Sequence, residues 1–279
     1  MDIAERLKIG TSGYSFRDWA GPFYPEKIKP GAMLEYYSKF FDITEINATY
    51  YRIPPRSTFR SMDRATDDDF RFVVKLHGSM THERKGDLQP FDDLKGAVQP
   101  LCDSGKMLGF LAQFPYSFRN TADNRSYLEW LRLKFADSRF FAEFRHESWM
   151  YDGLFEYLKN LNIGYCSVDE PALAGLIPPV AEATDEYGYV RFHGRNTLDW
   201  WKPRPGSDRY LYDYSEGELK EWIPRIEKLA GGCSRVLMFF NNCHFGNAPR
   251  NALNMKRMMG IKEMRIYRKG ELKLEPDSL

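Results

Sequence analysis

The chain has 279 residues, room for one large domain or two medium ones, and with 43% hydrophobic and 28% charged residues it fills a sizeable core and is not a disordered chain. A net charge of +1 gives no overall pull toward nucleic acid or membrane. No apolar run reaches the roughly 18 residues of a membrane span, and the stretch Met1 to Lys8 lacks an apolar signal core. Cys102, Cys166, Cys233 and Cys243 are far apart and form no CxxC pair, so they read as reduced thiols, mostly in core positions, of a cytoplasmic protein.

Lys8 to Gly13 opens the chain as a short strand, followed by a long aromatic, Gly- and Pro-containing loop and a helix over Pro30 to Phe41. Asp42 to Tyr51 reads as the second strand, with a short helix over Ser57 to Ala65. Phe70 to Leu76 is the third strand; a polar loop over 78–91 leads to a helix from Phe91 to Ser104, which Pro100 kinks or ends. Leu108 to Phe114 is the fourth strand and Asn124 to Phe135 an amphipathic helix. Arg139 to Arg145 and Ile163 to Asp169 are the fifth and sixth strands, with a helix over Asp152 to Leu161 between them. Residues 170–186 are mostly loop. The seventh strand is Tyr187 to Asn196, and a single helix spans Ser215 to Ala230, opened by a capping box of Ser215 and Glu218. Arg235 to Asn241 is the eighth strand, and a helix with Pro249 in its first turn runs from Asn247 to Met259.

Strands that alternate with helices pair in parallel, and eight such units in about 250 residues match a single-domain (β/α)8 TIM-like barrel. Gly10 to Gly13 does not supply the GxGxxG turn of a doubly wound nucleotide-binding sheet. One domain over 1–279 is expected, with the barrel over 8–260 and a charged tail over 261–279 that contains a candidate hairpin at Lys269 and Gly270.

Polar residues gather at the ends of these strands, where a barrel keeps its active site. Arg191, His193 and Arg195 lie at i, i+2 and i+4, so a continuous strand puts them on one face. Glu45 and Asn47, Lys75 and His77, Gln113, Glu143 and Arg145, Asp169, and Asn241 and Asn242 end other strands in the same way. Glu45, Lys75, Glu143, Arg145, Asp169 and His193 are the candidate catalytic groups, with Glu45 and Glu143 as an acid/base pair and His193 as a proton shuttle. A Schiff-base role for Lys75 is disfavoured, because neighbouring carboxylates would hold its proton. Tyr14, Trp19, Trp149, Trp200 and Trp201 are candidate walls for a ring or base, whereas His82 and His146 read as ordinary loop residues. Gly246 and Asn247, opening the last helix, form with Arg191, Arg195 and Arg250 a candidate cradle for a phosphate. A divalent metal on Glu45, Glu143, Asp169, His77 and His193 is the disfavoured alternative, because Lys75, Arg145 and Arg191 are interleaved with those ligands. A purely structural mesh of ion pairs is the other.

These motifs also resemble a known family. Ile9 to Tyr14, Trp19 through Pro25, Glu45 to Tyr50, Phe72 to Lys75, Gln113 to Pro115, Glu143 to Trp149, Val190 to Arg195, and Phe240 to Asn242 with Gly246 to Ala248 are similar to the YecE-like family, catalogued as domain of unknown function 72. The resemblance implies a single TIM-like barrel, usually bacterial or archaeal, with no established activity. It also carries a likeness to metal-using barrel endonucleases that act on abasic sites. The expectation is an enzyme, a hydrolase such as a metal-dependent phosphodiesterase in one version, that acts on a phosphate- or carboxylate-bearing small molecule or nucleotide by acid/base and electrostatic catalysis. A nucleic-acid-binding protein is the second reading, and no membrane partner is expected.

Overall fold

The computed structural model describes residues 3–84, 86–202 and 208–264. Within them eight strands close into a barrel in the order of the chain. They are β1 (Leu7–Ser12), β2 (Ile43–Ile46), β3 (Arg71–Lys75), β4 (Met107–Gln113), β5 (Phe140–Glu143), β6 (Gly164–Asp169), β7 (Tyr187–Phe192) and β8 (Arg235–Phe240). Every neighbouring pair is parallel, and β8 closes on β1 with Leu7 opposite Val236 and Thr11 opposite Phe240. The helices are α1 (Ile3–Arg6), α2 (Met33–Tyr37), α3 (Ala48–Tyr51), α4 (Arg56–Arg64), α5 (Gln89–Asp103), α6 (Ala122–Lys134), α7 (Leu154–Asn160), α8 (Glu216–Lys220), α9 (Ile223–Gly232) and α10 (Asn247–Met258).

The two-residue period of β7 shows how the barrel is filled. Val190 and Phe192 alternate with Tyr189 and Arg191, and Phe192 faces outward, stacked on Phe240 and edge-to-face with Trp222 and Tyr214. Tyr189 lies between Phe141 of β5 and Phe239 of β8, with ring centroids 4.7 and 5.0 Å away, an aromatic layer inside the barrel. One register step along, Arg191 reaches across the barrel to β2 and β5. Apolar packing thus sits beneath a layer of charge, and that layer ends at the carboxyl rim.

Three expected elements come out differently. The second strand stops at Ile46, because Asn47 adopts helical backbone angles and α3 begins. The Thr49 hydroxyl, within bonding distance of the carbonyls of Ile46 and Lys75, clamps that turn at 3.0 and 2.6 Å. The expected helix over Ser215 to Ala230 is two helices. The capping box of Ser215 and Glu218 starts α8 as anticipated, but Pro224 has no N–H to extend it and sits instead in the first turn of α9. The seventh strand ends at Phe192, and Gly194 turns the chain with φ of 91°. Arg195 therefore leaves the face that it was expected to share with Arg191 and His193. The thiols also differ: Cys166 is buried, but Cys102 is exposed. The candidate hairpin at Lys269 and Gly270 lies outside the described residues. Among the described residues, no helix is long and apolar enough to cross a membrane.

Candidate functional site

Arg191 anchors the charge layer. Its two terminal nitrogens donate to Glu45 Oε1 and Glu143 Oε2, each at 2.6 Å, and all three side chains are 1% exposed or less. Glu45 accepts a further bond from the Tyr189 hydroxyl at 2.6 Å. Glu143 Oε1 faces Arg145 Nη2 at 2.7 Å, and Arg145 Nη1 donates to Glu170 Oε2 at 2.6 Å. The result is a continuous chain of alternating charge, Glu45, Arg191, Glu143, Arg145 and Glu170, drawn from β2, β7, β5 and the residues just past β5 and β6. Its guanidinium groups hold Glu143 well below the usual carboxylate range despite its burial. Burial raises Glu170 to about 7, against the pull of Arg145 and with the help of Glu143.

His193 packs into the same layer. The Asn241 amide lies 3.0 Å from Nδ1, and Nε2 lies 3.2 Å from Glu143 Oε1. Arg145 Nη2 also lies 3.0 Å from Nε2, so that ring nitrogen sits between a guanidinium and a carboxylate oxygen. Burial and the nearby Arg145 push the ring down to about 3, so it is neutral at physiological pH.

Above this layer opens a cavity of ≈ 980 Å³ at the carboxyl ends of the strands. Glu45, Asn47, Lys75, Gln113, Arg145, Arg191 and Asn241 line it from below, and Tyr14, Tyr50, Tyr116, Trp200, Trp201 and Tyr210 form much of its wall. Lys75 is placed by the last residue of β3, and its ammonium lies 4.4 Å from the ring centre of Tyr50. The carboxylates expected to hold its proton are already bonded to arginines. The Lys75 ammonium has no hydrogen bond or ion pair among the described residues, and its contact is with the Tyr50 ring. Burial, helped by Arg191 and partly opposed by Glu143 and Glu45, lowers it to about 7. Arg209 also lines the cavity without a carboxylate partner among the described residues; its guanidinium lies 5.9 Å from the Trp200 ring centre. His82 lines the cavity too, pushed down to about 4 by burial and by Lys75.

Several expected site residues stand apart. Trp19 is fully buried and donates to the Cys243 carbonyl at 2.6 Å; Trp149 is fully buried and donates to the Phe118 carbonyl at 2.7 Å. Both are framework rather than cavity wall. Asp169 accepts from Arg195, from the Tyr214 hydroxyl at 2.6 Å and from Trp222 Nε1 at 2.6 Å, which ties β6 to the segment around α8. Arg195 is thereby used, and it also meets Glu221 at 2.9 Å. His77 pairs with the Ser79 hydroxyl, and His146 Nδ1 accepts from the Ser148 backbone. Asn242 and Asn247 both donate to the Tyr212 carbonyl. Gly246 has φ of 73° and lies so close to Pro22 that a Cβ would fall 2.7 Å from it. Arg250 pairs with Asp213 at 2.9 Å. The expected phosphate cradle is not assembled, because each of its arginines faces a carboxylate of its own.

The donor set does not fit a metal cluster either. The Arg191 guanidinium bridges Glu45 and Glu143, Asp169 is bonded by Arg195, and His77 pairs with Ser79. Among the described residues, no three His, Cys, Asp or Glu side chains gather as metal ligands. Glu170, Tyr50, Arg209 and Tyr210 were missed in the sequence. Glu170 directly follows the acidic end of β6, a signal that was available; Tyr50 lies on α3, where the sequence pattern reads as strand, and Arg209 and Tyr210 reach the cavity from a loop that periodicity does not describe.

A closed parallel barrel, with an aromatic-walled cavity over a buried charge layer at its carboxyl rim, defines a TIM-type barrel protein. A family model described as "Protein of unknown function DUF72" matches residues 8–275, and the chain belongs to that family. It is 33% identical to the UPF0759 protein YunF of Bacillus subtilis over 272 residues, 92% of this chain and 95% of that one. A DUF72 family protein of Thermotoga maritima has a similar crystal structure, with 40% identity and a TM-score of 0.84 over 91% of this chain and 99% of that one. One from Enterococcus faecalis is 26% identical, with a TM-score of 0.81 over 92% and 96% of the two chains.

Proposed function

We propose that this barrel is an enzyme for a small anionic molecule with a flat or ring portion, which it binds in the rim cavity and transforms by proton transfer and electrostatic stabilisation. One observation carries this reading. Lys75 and Arg209 line an aromatic-walled cavity without carboxylate partners among the described residues, while the buried arginines beneath them are all paired. Cations left without protein anions favour an anionic ligand, and the Tyr and Trp walls suit a planar one. The acid/base role shifts from the expected Glu45 and Glu143, which are tied into ion pairs, to Lys75, which titrates near neutrality. Arg145 and Arg191 then act as a fixed positive underlay.

Thermal-shift measurements on the purified chain test this, with inorganic phosphate, sugar phosphates, nucleotides and short oligonucleotides as ligands. The expected result is a rise in Tm with a small phosphate-bearing molecule that Arg209→Ala largely loses. A rise that Arg209→Ala leaves unchanged, or no rise with any anion, sinks the reading. A rise with oligonucleotides alone moves the protein to the nucleic-acid-binding class.

A further inference from the structure

We infer that Lys75 is a nucleophilic amine that forms an imine with an aldehyde or ketone carbonyl of the substrate. The inference rests on the reading of the rim cavity as the substrate site and deepens it by naming the reacting group.

The geometry carries it. A lysine that serves packing usually ends on the outer surface or in an ion pair, and Lys75 ends instead inside the rim cavity. Its ammonium lies over the Tyr50 ring, in the floor of the cavity, with no hydrogen bond or ion pair among the described residues. The arginines and carboxylates that act on it from the neighbouring strands are otherwise engaged. Glu45 on β2 and Glu143 on β5 are bonded to Arg191 of β7, and Arg145, following β5, is bonded to Glu143 and Glu170. His82, following β3, is held neutral at physiological pH and has Thr81 Oγ1 at 2.9 Å from Nδ1. The arginines make the charged amine unfavourable, and the carboxylates that would restore it are shared with them. An amine kept partly neutral near pH 7, inside a pocket and beside other cations, is the arrangement that nucleophilic lysines use.

The step balances without an oxidant or reductant. The neutral amine donates its lone pair to the carbonyl carbon, so a C–N bond forms and the C–O π pair moves to oxygen. One amine proton passes to that oxygen and gives a carbinolamine. The hydroxyl then leaves with the remaining N–H proton as water, and a C=N bond is left. Asn47, which also lines the cavity, carries an amide N–H that can donate to the carbonyl oxygen.

Reductive trapping tests the inference. The purified chain is incubated with sodium cyanoborohydride and either D-glyceraldehyde 3-phosphate or D-glyceraldehyde, and adducts are located by peptide mass spectrometry. The expected result is modification of Lys75 at least about tenfold faster than of the exposed Lys159 and Lys220, with a rate that climbs between pH 6 and 8. Lys75→Arg, checked for folding by circular dichroism, loses that adduct and keeps the slow surface labelling. Modification of Lys75 no faster than of Lys159 and Lys220 with either aldehyde overturns the inference, and a phosphate-induced rise in Tm in the same preparation would leave the anion reading standing. Equal trapping of both aldehydes at Lys75 supports the amine and counts against the anion reading.

Discussion

Removing the Arg191 guanidinium would leave Glu45 and Glu143 buried without their shared counter-ion, each less than 1% exposed. Arg191→Ala is expected to lose about 3–5 kcal/mol of stability, because breaking a buried pair leaves uncompensated charge. Urea unfolding reads this directly, and a loss under about 1 kcal/mol would mean that the carboxylates have another source of compensation. Lys75 has the opposite sign. The folded amine gives up its proton near pH 7 and the unfolded one near its ordinary 10.5, so wild-type stability rises with pH across that interval. In Lys75→Met that rise is expected to be absent. The mutant's Tm advantage should be largest below pH 7 and shrink toward pH 10; an advantage independent of pH would show that the amine is not perturbed in solution.

The first two strands are locked by a close approach that no polar pattern announces. The Tyr37 hydroxyl of α2 accepts from the Thr11 backbone and donates to the Ile43 carbonyl, and Gly10 lies against both groups. A Cβ on Gly10 would fall 2.1 Å from the Ile43 carbonyl oxygen and 2.9 Å from the Tyr37 hydroxyl. Gly10→Ala is therefore expected to cost roughly 3 kcal/mol or more, read as a drop in Tm, and a neutral result would show that β1 and β2 can separate freely. A second lock lies on the far side of the barrel, where Asp169 gathers Arg195, Tyr214 and Trp222. Asp169→Asn should destabilise by about 2–3 kcal/mol, since it weakens bonds to a buried charge, and leave any anion-induced rise in Tm intact. An unchanged stability with that response lost would return Asp169 to the site. These cases show why β6 was legible as a strand and Asp169 was not legible as a brace. Alternation is a local property, and the partners of Asp169 arrive 26 to 53 residues later in the chain.

For the whole molecule, buried titrating groups set the pH range of stability, and they act in opposite directions. The folded state keeps His193 and His82 neutral down to about 3 and 4, while the unfolded chain protonates near 6.5, so acidification through that interval destabilises. Glu170 is held up to about 7, so falling pH between 7 and its ordinary 4.5 relieves a cost. Relative to the wild type, Glu170→Gln should lose stability more steeply from pH 7 to 4.5 and His193→Gln less steeply. Denaturation midpoints across that range check both, and parallel curves for all three proteins would overturn the assignment.

Sequence by itself determined the barrel and the rim. Eight apolar runs, each ending in polar residues and nearly all followed by a helical period, leave few architectures, and the carboxyl-end position of Glu45, Lys75, Glu143 and Arg191 follows from strand alternation alone. Only the tertiary structure decided which charges are free. Arg191, Arg195 and Arg250 look alike along the chain, yet each meets a carboxylate supplied by a distant segment, whereas Lys75 and Arg209 meet none among the described residues. Pairing across a closed barrel depends on depth, register and reach, and these are fixed when eight strands close on one another rather than by the neighbours of any one residue.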